Sequence, residues 1–264
     1  MIVRSLILFP CLFCRQGFIF ALVIFSLISC SSDLSDAQKI IDKSILVHGG
    51  EKYLSSTIEF DFRDRHYIAH RESGKFSYER VFQDPKDSTR MVHDFLFNEG
   101  FRREINNQSV AIPDSMARKY SSSGNSVLYF ALLPYGLNDP SVNKKLLGTT
   151  VLDGVTYYKI EITFGPEGGE DYEDAFYFWI HKENFKVDYM AYSYEESDGR
   201  DIRFRKAINS RIVKGIVFQD YINYKPKASG MKLEAVETLF KTGEMEELSR
   251  IELENISVVP SAKP

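Results

Sequence analysis

The stretch from Gly169 to Tyr224 constrains the fold more than any other part of the chain. Four runs rich in β-branched and aromatic residues, roughly 175–181, 185–195, 201–212 and 216–224, are separated by short polar turns, the pattern of an antiparallel meander. Apolar residues recur at every second position within them, as Phe176, Phe178 and Ile180, then Ile202 and Phe204, then Ile216, Phe218 and Ile222. Alternate residues of a strand point to opposite faces, so these side chains are expected to share one ring-lined face that needs a cover. Tyr177, Trp179, His181, Arg203, Arg205, Gln219 and Asn223 then belong to the other face, expected to meet water. With a turn at 213–215, Asp220 lies opposite Ile208 and diagonal to Lys206 on the apolar side, and both charges are expected to reach water at the sheet's open edge rather than to form a buried pair.

The rest of the chain reads as parts that join this sheet. Ser35 with Gln38 makes a capping box, and Ala37, Ile40, Ile41, Ser44, Ile45 and His48 form one stripe of a helix ending at Gly49–Gly50, with His48 complementing the carbonyl end. Runs 57–69, 74–83, 88–98, 100–105 and 108–112 predict a second meander, whose apolar faces carry Ile58, Phe60, Phe62, Phe76, Tyr78, Phe82, Met91, Phe95 and Phe97. The period changes at Asp114. A helix, a soft break at Ser121–Gly124 and a second helix from Ser126 to Leu133, stopped by Pro134, are expected there, the second apolar almost all round and therefore buried. A hairpin over Asp153–Gly154 joins runs 146–152 and 155–164, and 232–259 predicts one or two weaker terminal strands.

Residues 1–29 stand apart. Arg4 and Arg15 flank apolar stretches, and the uncharged run Gly17–Ser29 suits a signal-peptide core while being short for a bilayer span. Leu27-Ile28-Ser29-Cys30 resembles a bacterial lipobox, which implies that Cys30 is acylated after cleavage and that its acyl chains anchor the protein to a membrane, with residues 30–34 as the tether. Cys11 and Cys14 lie in the cleaved segment, so no disulfide is expected in the mature chain. The net charge is −4 before that segment and its two arginines are removed, which argues against a nucleic-acid partner.

Signals for chemistry are sparse. His66 and His70 share a strand face and His93 lies two strands on, but the spacing lacks a fourth ligand; scattered surface histidines explain them better than a metal site. Glu167, Glu170, Asp171, Glu173 and Asp174 crowd a Gly-rich loop without EF-hand spacing and read as a solvated acidic loop. No nucleophile elbow, phosphate loop or metalloprotease motif occurs, so nothing points to an enzyme or a cofactor.

Several segments carry a family resemblance: H-G-G at 48–50, F-A-L-L-P-Y-G-L-N-D-P at 130–140, E-D-Y-E-D-A-F-Y-F-W-I at 170–180, R-F-R-K-A-I-N-S-R at 203–211 and G-I-V-F-Q-D-Y-I-N-Y at 215–224. Over roughly the whole mature chain they resemble the DUF6503 family of uncharacterised Bacteroidetes lipoproteins. More distantly, a leading helix before a ring-lined antiparallel sheet is similar to the LolA and LolB lipoprotein carriers. The fold expected is mainly β: residues 35–264 as one domain, a curved antiparallel half-barrel with an N-terminal helix and an inserted helix pair on its concave face. The resemblance implies an outer-membrane or periplasmic lipoprotein that holds a lipid or acyl chain in a groove. Phe60, Phe62, Leu128, Phe130, Phe176, Phe178, Ile180, Phe204 and Phe218 are the groove candidates. The alternative is an interaction module with a solid core, binding a protein through Tyr177, Trp179, Tyr192 and Tyr194 on the outer face; a hydrolase without a local motif ranks third.

Overall fold

Tight turns divide the chain into two meanders. The computed structural model describes residues 36–72, 74–165, 175–196 and 199–261. The first sheet contains β1 (Ser56–Phe62), β2 (Arg65–Glu72), β3 (Lys75–Asp84), β4 (Asp87–Phe97), β5 (Gly100–Ile105) and β6 (Gln108–Val110). The chain's last strand, β14 (Glu254–Pro260), returns to pair with β1, giving the order β14-β1-β2-β3-β4-β5-β6. The second sheet contains β7 (Val142–Leu152), β8 (Val155–Phe164), β9 (Phe176–His181), β10 (Val187–Glu196), β11 (Gly199–Val213), β12 (Ile216–Pro226) and β13 (Met245–Ile251), in reverse order from β13 to β7. All pairings are antiparallel. The protein is thus mainly β, as expected, its antiparallel strands forming two sheets that are not closed into a barrel. Two-residue turns close hairpins at Asn106–Asn107 (φ 51° and 64°), Asp153–Gly154 (48° and 79°) and Lys214–Gly215 (48° and 85°), the paired positive angles whose twist matches the flanking strands.

Helix α1 (Asp36–His48) buries Ala37, Ile40, Ile41, Ser44 and His48, its expected stripe except for partly buried Ile45. It ends at Gly49, where φ is 146° and an added Cβ would lie 3.1 Å from the Ile216 side chain; the H-G-G segment is therefore a close approach between helix end and β12. Helix α2 (Asp114–Ala131) is one unbroken helix, not a pair. The serines that weaken it in isolation are clasped from the first sheet: Arg80 donates to Ser123 Oγ at 3.0 Å and to the Tyr120 carbonyl at 3.4 Å. The same guanidinium bonds Asp94 at 2.6 and 3.1 Å, and Arg103 donates to that carboxylate at 2.9 Å. Tertiary bonding therefore overrides the low helix propensity of the Ser-Ser-Ser-Gly run.

The cross-strand register revises the face assignments. Tyr177, Ala191 and Phe204 stand directly opposite one another, as do Phe178, Met190, Arg205 and Asn223. Ile202 and Phe204 therefore share a face with Tyr177 and Trp179, opposite to Phe176, Phe178 and Ile180. That face is not in water. Leu233, Val236 and Phe240, from the segment containing the short helix α3 (Val236–Lys241), pack over it and leave Trp179 fully buried. Ile216 and Phe218 join a different cluster, with Tyr53, Ile58, Phe60 and Leu128 against the first sheet. Period two orders faces within one strand, whereas turn lengths and bulges, such as the shift between Ile208 and Arg211, decide which faces meet across strands.

Asp220 also departs from expectation. It does lie opposite Ile208, but it is buried and accepts bonds from Arg211 at 3.0 Å, the Leu253 backbone N–H at 3.0 Å and Asn209 at 3.2 Å. Lys206 instead pairs with Asp153 at 2.6 Å. The buried carboxylate is satisfied by three donors that tie β11, β12 and the start of β14 together. The run 57–69 divides into β1 and β2 at Arg63–Asp64, where Arg63 turns back with φ 57°.

Candidate functional site

The C-terminal half of α2 does not sit flush on the inner face of the second sheet. Val127, Phe130 and Ala131 lie on one helical stripe, and between them and the sheet is a cavity of about 220 Å³. Tyr192, Arg205, Gln219 and Tyr221 form its floor, and Phe62, Ile251 and Leu253 close one side. The volume exceeds the ~150 Å³ of a dry cavity that admits benzene and falls below the ~300 Å³ at which pockets for larger ligands begin. Two larger depressions lie elsewhere: one of about 790 Å³ is rimmed by Asp61, Asp64, Arg65 and Glu254, and one of about 800 Å³ is lined by Ile45, Leu46, Phe76, Tyr129, Val142 and Phe164 together with Asp42, Glu51 and Asp139.

Arg205 distinguishes the cavity. Its guanidinium lies over the Phe130 ring at 4.2 Å and the Tyr192 ring at 5.0 Å and donates one hydrogen bond, to Tyr192 Oη at 2.8 Å. The residue is 8% exposed, its Nε is buried without a partner, and among the described residues no carboxylate pairs with it. Beside it, burial raises the Tyr221 hydroxyl to about 12 against the opposing pull of the Arg205 charge, so this tyrosine stays a neutral donor. Asn223, opposite Arg205 across the strand pair, leaves its Oδ1 unpartnered, and on α1 so do Ser44 Oγ and His48 Nε2.

The nine groove candidates separate. Phe62 and Phe130 line the cavity. Phe176 stacks behind its wall, 5.4 Å from the Tyr192 ring and 6.3 Å from that of Phe130, within the cluster that holds Phe178 and Ile180 beneath α1. Phe60, Leu128 and Phe218 are core between α2 and the first sheet, and Phe204 is core on the far face of the second. Cys30 and the acidic loop from Glu167 to Asp174 lie outside the described residues. The floor residues Arg205, Gln219 and Tyr221 were not legible as a site: a strand-face arginine looks solvated until its row across the sheet is known.

The histidines do not converge. His66 bonds Asp61 at 2.6 Å, His93 bonds Glu79 at 2.7 Å and His70 meets Thr57 Oγ1 at 3.0 Å. Among the described residues no three His, Cys, Asp or Glu side chains gather as metal ligands.

Fold and site together define a two-sheet antiparallel β protein with a helix-covered, largely apolar cavity. The chain belongs to the DUF6503 family, a family of unknown function, whose model matches residues 15–253. Among solved structures it is similar to the LolA superfamily protein NE2245 from Nitrosomonas europaea, at 13% identity and a TM-score of 0.46, covering 86% of this chain and 94% of that one. It is also similar to a putative outer membrane lipoprotein-sorting protein domain from Vibrio parahaemolyticus, at 8% identity and a TM-score of 0.40 over 76% and 96% of the two chains. A third likeness is to Mycobacterium tuberculosis lipoprotein LppX, at 14% identity and a TM-score of 0.27 over 62% and 89%. No curated protein sequence matches the chain.

Proposed function

We propose that the protein is a lipoprotein of the cell envelope, anchored through acylated Cys30, that binds an apolar or amphipathic ligand in the cavity under α2. The observation that carries this reading is the cavity itself, walled by Phe62, Val127, Phe130, Ala131, Ile251 and Leu253. An apolar ligand entering it leaves water at a gain of about 0.8 kcal/mol per buried methylene. Arg80 holds the middle of α2 to the first sheet through Tyr120 and Ser123, and the cavity wall belongs to the turns that follow. The rival interaction surface loses three of its four anchors, since Tyr177 and Trp179 are core and Tyr192 lines the cavity, which leaves Tyr194.

Displacement of a fluorescent fatty acid from the purified protein tests the reading. Saturable capture that Phe130→Trp, which fills the cavity, abolishes without lowering the melting temperature is expected; no capture, or capture indifferent to that substitution, refutes it. For the anchor, Cys30→Ser is expected to leave an unprocessed or soluble protein, and processing insensitive to globomycin refutes acylation.

A further inference from the structure

We infer that Arg205 makes the cavity selective for a single carboxylate, so that the ligand is a fatty-acid anion whose headgroup binds the guanidinium and whose tail lies against Phe130 and Phe62. This inference rests on the ligand-binding reading above and adds the ligand's chemical class.

The first argument is charge. A cation withdrawn from water is costly unless it is paired, and Arg205 is more than nine-tenths buried with no carboxylate partner among the described residues. Two aromatic faces and one hydroxyl offset part of that cost. They leave the charge without a counter-ion, and a carboxylate reaching the guanidinium from the cavity makes the charge-assisted bond that a neutral headgroup cannot. The second argument is stoichiometry. Arg205 is the one cation among the described residues that line this cavity, which suits a monoanion and not the greater charge of a phosphomonoester. The third argument is volume: about 220 Å³ suits a short or medium tail, and the apolar wall excludes a polar one. The neutral Tyr221 hydroxyl on the same floor supplies a second donor without adding charge.

Calorimetry with decanoate, decanol and decyl phosphate, on the wild type and on Arg205→Met and Arg205→Lys, tests the inference. Decanoate is expected to bind the wild type more tightly than either other probe. Arg205→Met should weaken decanoate by about 10- to 100-fold, the usual value of a charge-assisted bond, and weaken decanol by clearly less. Arg205→Lys should recover only part of the loss, since an ammonium lacks the planar fork. Thermal melts without ligand supply an independent readout. A buried cation awaiting its counter-ion predicts that Arg205→Met melts no lower than the wild type, whereas a purely structural arginine predicts a lower melt. Equal binding of decanoate and decanol, tighter binding of decyl phosphate, or a destabilised Arg205→Met that still binds decanoate overturns the carboxylate assignment and leaves the ligand reading standing. Failure of all three probes to bind the wild type overturns both.

Discussion

The two faces of the second sheet are built from the same strands yet finished to different degrees. On the outer face Trp179, Tyr189 and Phe204 interlock under Phe240, with Trp179 and Phe204 ring centres 5.5 Å apart and Phe204 and Phe240 4.5 Å apart. The carboxylate on that face, Glu237, accepts from Thr150 Oγ1, from Lys241 at 2.6 Å, from Lys159 at 3.2 Å and from Trp179 Nε1 at 3.4 Å. On the inner side α2 leaves a cavity; of the six buried polar atoms without partners among the described residues, Arg205 Nε belongs to a residue that lines it, while Ser44 Oγ and His48 Nε2 lie on α1 and Asn223 Oδ1 on β12 outside that lining. Buried polar groups are ordinarily satisfied, so the outer face is read as structural, and the cavity beside Arg205 makes the inner one the face on which the proposed binding would act. Substitutions on the first should cost stability and spare binding, and substitutions around the cavity should do the reverse.

The largest effect is expected from Trp179→Ala. Emptying a fully buried aromatic site costs about 3–5 kcal/mol, read as a lower urea midpoint, with fatty-acid capture unchanged in the molecules that remain folded. Loss of capture without loss of stability would erase the distinction between the faces.

Glu237 comes next, through pH. Burial opposes its ionisation, but bonds from Lys241, Thr150 and Lys159 win and hold its carboxyl at about 2, below the ordinary 4.5. The unfolded chain therefore binds the proton first as pH falls, and stability that is full above about 4.5 is lost progressively down to about 2. Glu237→Gln should flatten the acid limb of the stability profile in that window and cost about 1–3 kcal/mol at neutral pH. An unchanged acid limb would mean that α3 is not clamped by this carboxylate.

Phe130→Ala should cost less, below the ~3 kcal/mol floor of a fully packed phenylalanine, because one side of the ring already faces the cavity. Its fatty-acid affinity should nevertheless fall, and a full packing loss measured by urea melts would show that the ring is ordinary core.

What the chain discloses on its own follows from how local each determinant is. The two-residue turns at 106–107 and 153–154 were legible because Asn, Asp and Gly are the residues that take positive φ, whereas the turn expected over 213–215 closes at Lys214–Gly215, where a lysine takes φ 48°. Facing was not legible, since Phe178 and Phe204 sit at equivalent positions in their own strands and only the register through Met190 and Ala191 parts them. The continuity of α2 was hidden for a similar reason: its stabilising partner, Arg80, is 43 residues from Ser123. Of the cavity, Phe62 and Phe130 were readable as large rings on apolar stretches, whereas Arg205 looks like its surface neighbour Arg203 until the cover over the sheet is known.

The smallest effect separates the faces by pH alone. His48 is buried at the end of α1, where its Nδ1–H donates to the Ser44 carbonyl at 2.8 Å, which leaves Nε2 as an unpartnered acceptor in the neutral ring. Burial lowers its pKa below 6.5, and the Lys186 charge pushes the same way, against the Ser44 carbonyl and the Gln219 side chain. Below pH 6.5 the unfolded chain takes up a proton that the folded chain refuses, so stability falls as pH drops from 6.5 toward the lowered value. One such group contributes at most about 1.4 kcal/mol per pH unit. His48→Gln should therefore reduce the slope of unfolding free energy as pH falls below about 6.5, an onset above that of Glu237. Parallel slopes in urea melts below that onset would show that His48 titrates as freely as in the unfolded chain, and the inner face would then be more hydrated than its buried polar atoms imply.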